Sequence, residues 1–361
     1  MKAKVQISTI QFSVLLMGFL LGSTMIIVPG SYAKQDAWIA YIIAWFGGIL
    51  LFSAYVLLAS RHPRKNLVQI NRLLLGRGLG SFVSLLYIWY FIHLAALVLR
   101  NFGEYTLTIN LDQTPLWFVI VCYVITVTYS VRSGLEVTAR TAELIVPFIF
   151  LFQIVITLAL IPHVDFSNFK PVMGDGITPI LKASFSVLFF PFGETVVFLM
   201  IIPFLNQQKK LNKTYSLSFF LAGLLLLILI VKDIGVLGGY GLDRKMFPPH
   251  MSIKHISAIN LDPLIGVIFF ISGGTKICVC FIAASLGIAQ LTESNDHRPF
   301  VLPLAIILVG LSIWVYESAP EMMHWAIEIW GYYSIPFQVI IPITLLIISY
   351  AKPVIQTRST K

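Results

Sequence analysis

Charge is what this sequence lacks most. Only 11% of its 361 residues are charged and 58% are hydrophobic, whereas a soluble domain carries about 25% charged residues. No soluble fold has enough interior for so much apolar surface, so that surface faces lipid. Cysteine is scarce too: Cys122, Cys278 and Cys280 all fall inside apolar runs, and no Cys-x-x-Cys pair occurs. That excludes a disulfide scaffold or a zinc knuckle, and the three read as small buried apolar residues. His-Glu-x-x-His, a Gly-x-Ser-x-Gly elbow and a P-loop are all missing. No catalytic residue, metal site or cofactor is expected, and the chain does not read as an enzyme.

What is present is a series of ten apolar runs, at about 9–30, 38–59, 81–101, 115–131, 143–162, 180–203, 215–237, 263–291, 300–317 and 334–351. Each approaches the 20 or so residues that span a bilayer as a helix. The fourth is short, and the eighth is long enough to tilt. The first, Ile10 to Val28, is longer than the apolar region of a cleaved signal and reads as a span. No segment outside the runs is long enough for a core of its own. The longest outer connection, roughly 238–262, holds Gly238-Gly239-Tyr240-Gly241 and Pro248-Pro249 and is expected to cap an outer mouth. The expectation is one transmembrane domain over 1–361.

The net charge of +9 does not point to nucleic acid, because no basic-aromatic surface domain exists to bind it. The basic residues sit in short connections instead, which is the footprint of topology control and anionic lipid. With the N-terminus in the cytoplasm, 16 of the 25 lysines and arginines lie on the inner side, including Arg61, Arg64, Lys65, Arg72 and Arg77. Both termini are therefore expected in the cytoplasm, at Lys2 and Lys4 and at Lys352, Arg358 and Lys361.

Two runs hold more than an anchor needs. The first contains Gly22-Ser23-Thr24-Met25-Ile26-Ile27-Val28-Pro29-Gly30, and the sixth Phe189-Phe190-Pro191-Phe192-Gly193-Glu194-Thr195. Pro191 removes a backbone donor, Gly193 adds freedom beside it, and Glu194 places a charge where charge is costly. Unpaired backbone survives at that depth only inside protein or along a cavity. Interrupted helices at matching positions of two inverted halves point to the binding site of a secondary transporter fold.

These two stretches carry a resemblance. Gly22-Ser23-Thr24-Met25-Ile26 resembles the first-helix Gly-Ser-Gly-Ile signature of amino acid–polyamine–organocation permeases, with Thr24 in place of its second Gly. Phe192-Gly193-Glu194 resembles their sixth-helix Gly-x-Glu stretch, with one residue fewer. In length, helix number, minimal N-terminus and the Pro-Phe-Gly-Glu run, the chain is similar to the B subunits of GerA-type spore germinant receptors. The resemblance implies an all-α integral membrane protein of ten transmembrane helices. It further implies a LeuT-like 5+5 inverted repeat, roughly 9–162 and 180–351, with helices 1 and 6 broken. It also implies recognition of a small germinant, commonly an amino acid, in the spore inner membrane beside partner A and C subunits.

The candidate ligand-binding residues follow from both lines. Glu194 is the leading one, able to accept from a ligand amine, hold the broken ends or carry a proton. Lys276 lies too deep in the eighth run to snorkel, so it needs a partner: Glu194, a carbonyl of the first helix or a ligand carboxylate. Ser272 is one turn earlier on its face. Gly22, Ser23 and Thr24 are placed to offer N–H groups to a carboxylate, or to allow close packing. Phe190, Phe192 and Gly193 lie at the second break, and Tyr90 shares a face of the third run with Tyr87, near His93, on a helix that lines the pocket in the resembling fold. Arg100 and Glu104 read as an interfacial or gate pair, or more plainly as a solvated one. Glu317, Glu321 and Glu328 read as outer acids, and Trp314, Trp325 and Trp330 as an interfacial belt. The functional reading is a receptor subunit that binds a germinant and helps trigger germination. A proton-coupled amino-acid transporter, or an ion or water pathway within a receptor complex, stands beside it.

Overall fold

A computed structural model describes residues 5–256 and 261–351; the terminal lysines and Arg358 used for orientation lie outside them. Fourteen α-helices are described: α1 Thr9–Leu21, α2 Ala37–Arg61, α3 Leu67–Leu75, α4 Arg77–Ile109, α5 Leu116–Ser133, α6 Leu135–Leu160, α7 Ile177–Val187, α8 Leu211–Arg244, α9 Pro248–Ile253, α10 Asp262–Leu291, α11 Arg298–Trp314, α12 Ala319–His324, α13 Trp330–Ile335 and α14 Ile341–Ala351. Eight helical stretches among the described residues are long and apolar enough to cross a bilayer. Two shorter apolar helices, Thr9–Met25 and Arg298–Trp314, take the first and ninth runs.

Burial sorts these helices into a core and a rim. The stretch through α7 is 89% buried, and those of α4 and α10 are each 72% buried, against 28% for α6. The rim turns Leu50, Leu144, Ile306 and Ile347 outward, as helices do when their outer solvent is hydrocarbon. Cys278 and Cys280 are buried as expected, but Cys122 is exposed on this rim. The short α3 is amphipathic: Leu67, Val68, Ile70 and Leu74 are buried, and Asn66 and Gln69 form a capping box at its start. Arg72 and Arg77 both reach Glu293, at 3.6 and 3.3 Å, tying this segment to the connection after α10.

Both expected breaks are present. α1 ends at Leu21, where Gly22 takes φ 9 and ψ −118, and a single 3₁₀ turn, Gly22–Met25, follows. In the sixth run, α7 gives way to a wide turn in which Phe190 is extended, at φ −137 and ψ 104. A 3₁₀ segment then runs from Gly193 to Met200. The helix of the seventh run breaks at Gly238 (φ 70, ψ 166), where the long connection is expected to start, and a further helical piece carries the chain on to Arg244. α9 then folds inward, with Pro248, Pro249, His250, Ser252 and Ile253 all buried.

Candidate ligand site

The two breaks leave backbone groups that side chains satisfy, some from the same turn and some from distant helices. At the first, Thr24 Oγ1 donates to the carbonyls of Leu20 (3.0 Å) and Leu21 (2.6 Å). Ser272 Oγ on α10 approaches the Gly22 carbonyl at 3.4 Å. At the second, the Gly193 N–H closes on the Leu188 carbonyl, which frees the carbonyl of Phe189. Trp330 Nε1 (3.2 Å) and Gln338 Nε2 (3.1 Å) donate to it. A carbonyl released inside a membrane-spanning bundle needs such partners, because lipid offers none.

Glu194 follows the second break, and its carboxylate is ion-paired with the ammonium of Lys276. The two side chains are 1% and 0% exposed, and the pair joins the broken sixth run to α10. Lys276 Nζ also lies 5.2 Å from the ring centre of Phe19 and 4.9 Å from that of Phe190, within cation–π range. The Lys276 stem runs against the first break: a Cβ on Gly22 would meet its Cδ at 2.6 Å. Glycine at this position lets the backbone and the lysine approach closely, and any larger residue must displace the lysine stem.

Beside the pair is a cavity of about 20 Å³, bounded by Ser23, Asn101, Phe190, Tyr316, Trp325 and Trp330 together with Glu194 and Lys276. That is room for about one water. Ser23 Oγ is buried with no hydrogen-bond partner among the described residues, so one wall carries an unused hydroxyl.

Of the candidates, Ser23, Phe190, Glu194 and Lys276 line this cavity, and Gly22 and Ser272 sit directly behind it. Thr24 does not line it. It faces a second cavity across the 3₁₀ turn, because consecutive residues of a helical turn diverge. Phe192 packs against Phe219 and Gly48, away from the pair. Gly193 packs against the Gln338 amide. Tyr90 is fully buried, its hydroxyl receiving the Gln338 amide at 2.7 Å and its ring stacked on Phe337 at 4.6 Å.

Three expectations need correction. Trp330 is not interfacial: it is buried, and its indole N–H holds the broken helix. Trp325 lines the cavity, and only Trp314, 88% exposed, remains at the rim. Arg100 and Glu104 are not a solvated pair. Their contact at 2.8 Å is largely buried, and Arg100 Nη1 also donates to the carbonyls of Ser312 and Ile313. Gln338 was absent from the candidates, though an amide inside an apolar run is a readable signal.

Comparison with known proteins follows the same line. Residues 6–322 match the spore permease family model, described as spore germination protein. Spore germination protein KB of Bacillus subtilis (strain 168) is 32% identical over 357 residues, covering 97% of this chain and 96% of that protein. Spore germination protein YndE of the same organism is 25% identical over 362 residues, covering 95% and 96%. Among solved structures, MhsT in complex with L-phenylalanine superposes with a TM-score of 0.66 at 14% identity, covering 96% of this chain and 99% of that one. Mhp1, a nucleobase–cation symport-1 family transporter, gives 0.65 at 11%, covering 90% and 75%. At such identities these two establish the fold, which is LeuT-like. The relatives are permease-like proteins rather than enzymes. The chain is a multi-pass membrane protein and belongs to the spore permease family of spore germination proteins.

Proposed function

We propose that this chain is the ligand-binding subunit of a spore germinant receptor and that its ligand is a small zwitterion, an amino acid. The observation that carries this reading is the Glu194–Lys276 pair, buried where the two broken segments meet. A zwitterion exchanges into such a pair without changing the net buried charge: its carboxylate takes Lys276 and its ammonium takes Glu194. An ion of one sign leaves an uncompensated charge in a medium that penalises it. Ser23 Oγ supplies a further donor, and Phe190, Trp325 and Trp330 offer apolar walls for a side chain.

The cavity holds about one water, so binding requires Glu194 and Lys276 to part. Parting loosens the contact between the sixth run and α10. Binding thus biases the bundle toward a second arrangement, which A and C partner subunits read. In this scheme both termini lie in the cytoplasm, and two inverted halves, roughly 9–162 and 180–351, meet at the site.

The test is germination of spores carrying Glu194→Gln, Lys276→Met or the charge-neutral double variant, with protein abundance measured. The expected result is loss of the germinant response in all three, including the double variant at normal abundance. A wild-type germination curve from the double variant would remove the pair from the site. The transporter folds of MhsT and Mhp1 favour one second reading, a proton-coupled amino-acid transporter. Gradient-driven accumulation of a labelled amino acid by proteoliposomes of this chain alone would support it; binding without accumulation supports the receptor.

A further inference from the structure

A second pair of opposite charges is buried on the other side of the first break. Lys232 and Asp233 are consecutive on α8, their charged atoms 2.7 Å apart and their side chains 2% and 1% exposed. Asp233 Oδ1 also accepts from Ser252 Oγ on α9 at 2.6 Å. The pair borders a cavity of about 20 Å³ whose other polar groups belong to Thr24, Tyr41 and Gln153. Pro249 and Ile253 of the inward-folded α9 border it as well. The 3₁₀ turn Gly22–Met25 is the partition: Ser23 lines the first cavity, and Thr24 and Met25 line this one.

An ion pair here is costly. Desolvating two charges commonly offsets their attraction, and apolar residues of similar volume are often as stable. The cavity lining is also weakly bonded in one respect: Gln153 Nε2 donates to Met25 Sδ at 3.3 Å, a weak acceptor. The pocket therefore has an ammonium, a carboxylate and an under-used amide in a net-neutral, largely apolar setting that includes Val28, Leu229 and Ile268.

We propose that the Lys232–Asp233 cavity is a second binding site, specific for a small zwitterion with an aliphatic side chain. The ligand's carboxylate takes Lys232 and the Gln153 amide, and its ammonium takes Asp233. The cavity as it stands has room for about one water, so occupancy requires the bordering α9 to move outward, and a ligand ammonium then replaces the Ser252 hydroxyl on the Asp233 carboxylate. The site stands on its own residues and does not depend on the first cavity being a ligand site.

Equilibrium binding of the twenty standard amino acids, radiolabelled, to the full chain in lipid nanodiscs tests this. The expected stoichiometry at saturation is two per chain for at least one aliphatic amino acid. Lys232→Met/Asp233→Asn, which is neutral, should reduce it to one, and Glu194→Gln/Lys276→Met should remove the other. The methyl ester or N-acetyl form of the same amino acid should bind the second site roughly tenfold more weakly or worse, since each leaves one buried charge unpaired. A thermal melt within a few degrees of wild type shows that the Lys232/Asp233 variant is folded. The proposal is overturned by three results: no binding, one equivalent lost only in the Glu194/Lys276 variant, or an ester that binds equally well. If the Glu194–Lys276 reading alone is wrong, one equivalent remains, and it disappears only in the Lys232/Asp233 variant.

Discussion

Two buried ion pairs lie on opposite sides of one broken turn, and they are built differently. Glu194 and Lys276 are 82 residues apart and belong to different helices, so their contact exists only when the broken sixth run meets α10. Lys232 and Asp233 are neighbours on one helix, so their backbones stay close whatever the bundle does and only their side chains part to admit a ligand. The first pair therefore reports on the arrangement of helices, which suits a switch. The second reports on what covers it, through the Ser252 hydroxyl of α9, which suits local recognition.

The comparison can be broken by removing one charge at a time. Lys276→Met leaves Glu194 buried and unpaired, and the expected loss of stability is about 3–5 kcal/mol. Adding Glu194→Gln should restore most of it, as a melting temperature in detergent will show; equal melts for the single and double variants would mean the pair is not formed. Lys232→Met should cost less, about 3 kcal/mol at most, because Asp233 keeps the Ser252 hydroxyl. A loss larger than that of Lys276→Met would reverse the ranking.

Smaller changes sharpen the contrast. Gly22→Ala places a Cβ 2.6 Å from Lys276 Cδ and should cost about 1–3 kcal/mol through displacement of the lysine, with the germinant response falling in step. Ser272→Ala removes a hydroxyl only 3.4 Å from the Gly22 carbonyl, so its effect on the melt should stay below about 1 kcal/mol. The exposed Asp165 gives the smallest effect. It accepts from the Ser167 N–H at 2.8 Å, and that bond holds its carboxyl below the usual range. A depressed pKa contributes stability above the ordinary carboxylate value and loses it as pH falls through the lowered one. Asp165→Asn, which caps equally well, should leave the melt at neutral pH unchanged and flatten only its acid limb.

Much of this site was legible in the sequence because intramembrane charge and helix breakers are rare enough to stand out. Pro191, Gly193, Glu194 and Lys276 each violate what a lipid-facing helix tolerates, and their violations coincide in space. Gln338 and Trp330 were harder to read. An amide and an indole are tolerated in many membrane settings, and their task, satisfying the Phe189 carbonyl, exists only once the sixth run is broken. Thr24 shows the opposite error. Its place beside Ser23 suggested a shared wall, but successive residues of the turn face different cavities.

The sequence by itself determined the medium, the apolar runs, the two breaks and the deep charges Glu194 and Lys276, because hydropathy, proline geometry and the cost of buried charge act locally. Tertiary structure alone decided that Lys276 pairs with Glu194, that Gln338 and Trp330 hold the broken carbonyl, and that one 3₁₀ turn separates two cavities. Those depend on which helix faces come together. In a chain whose helices are apolar on nearly every side, packing selects those faces more than any amphipathic pattern along the chain.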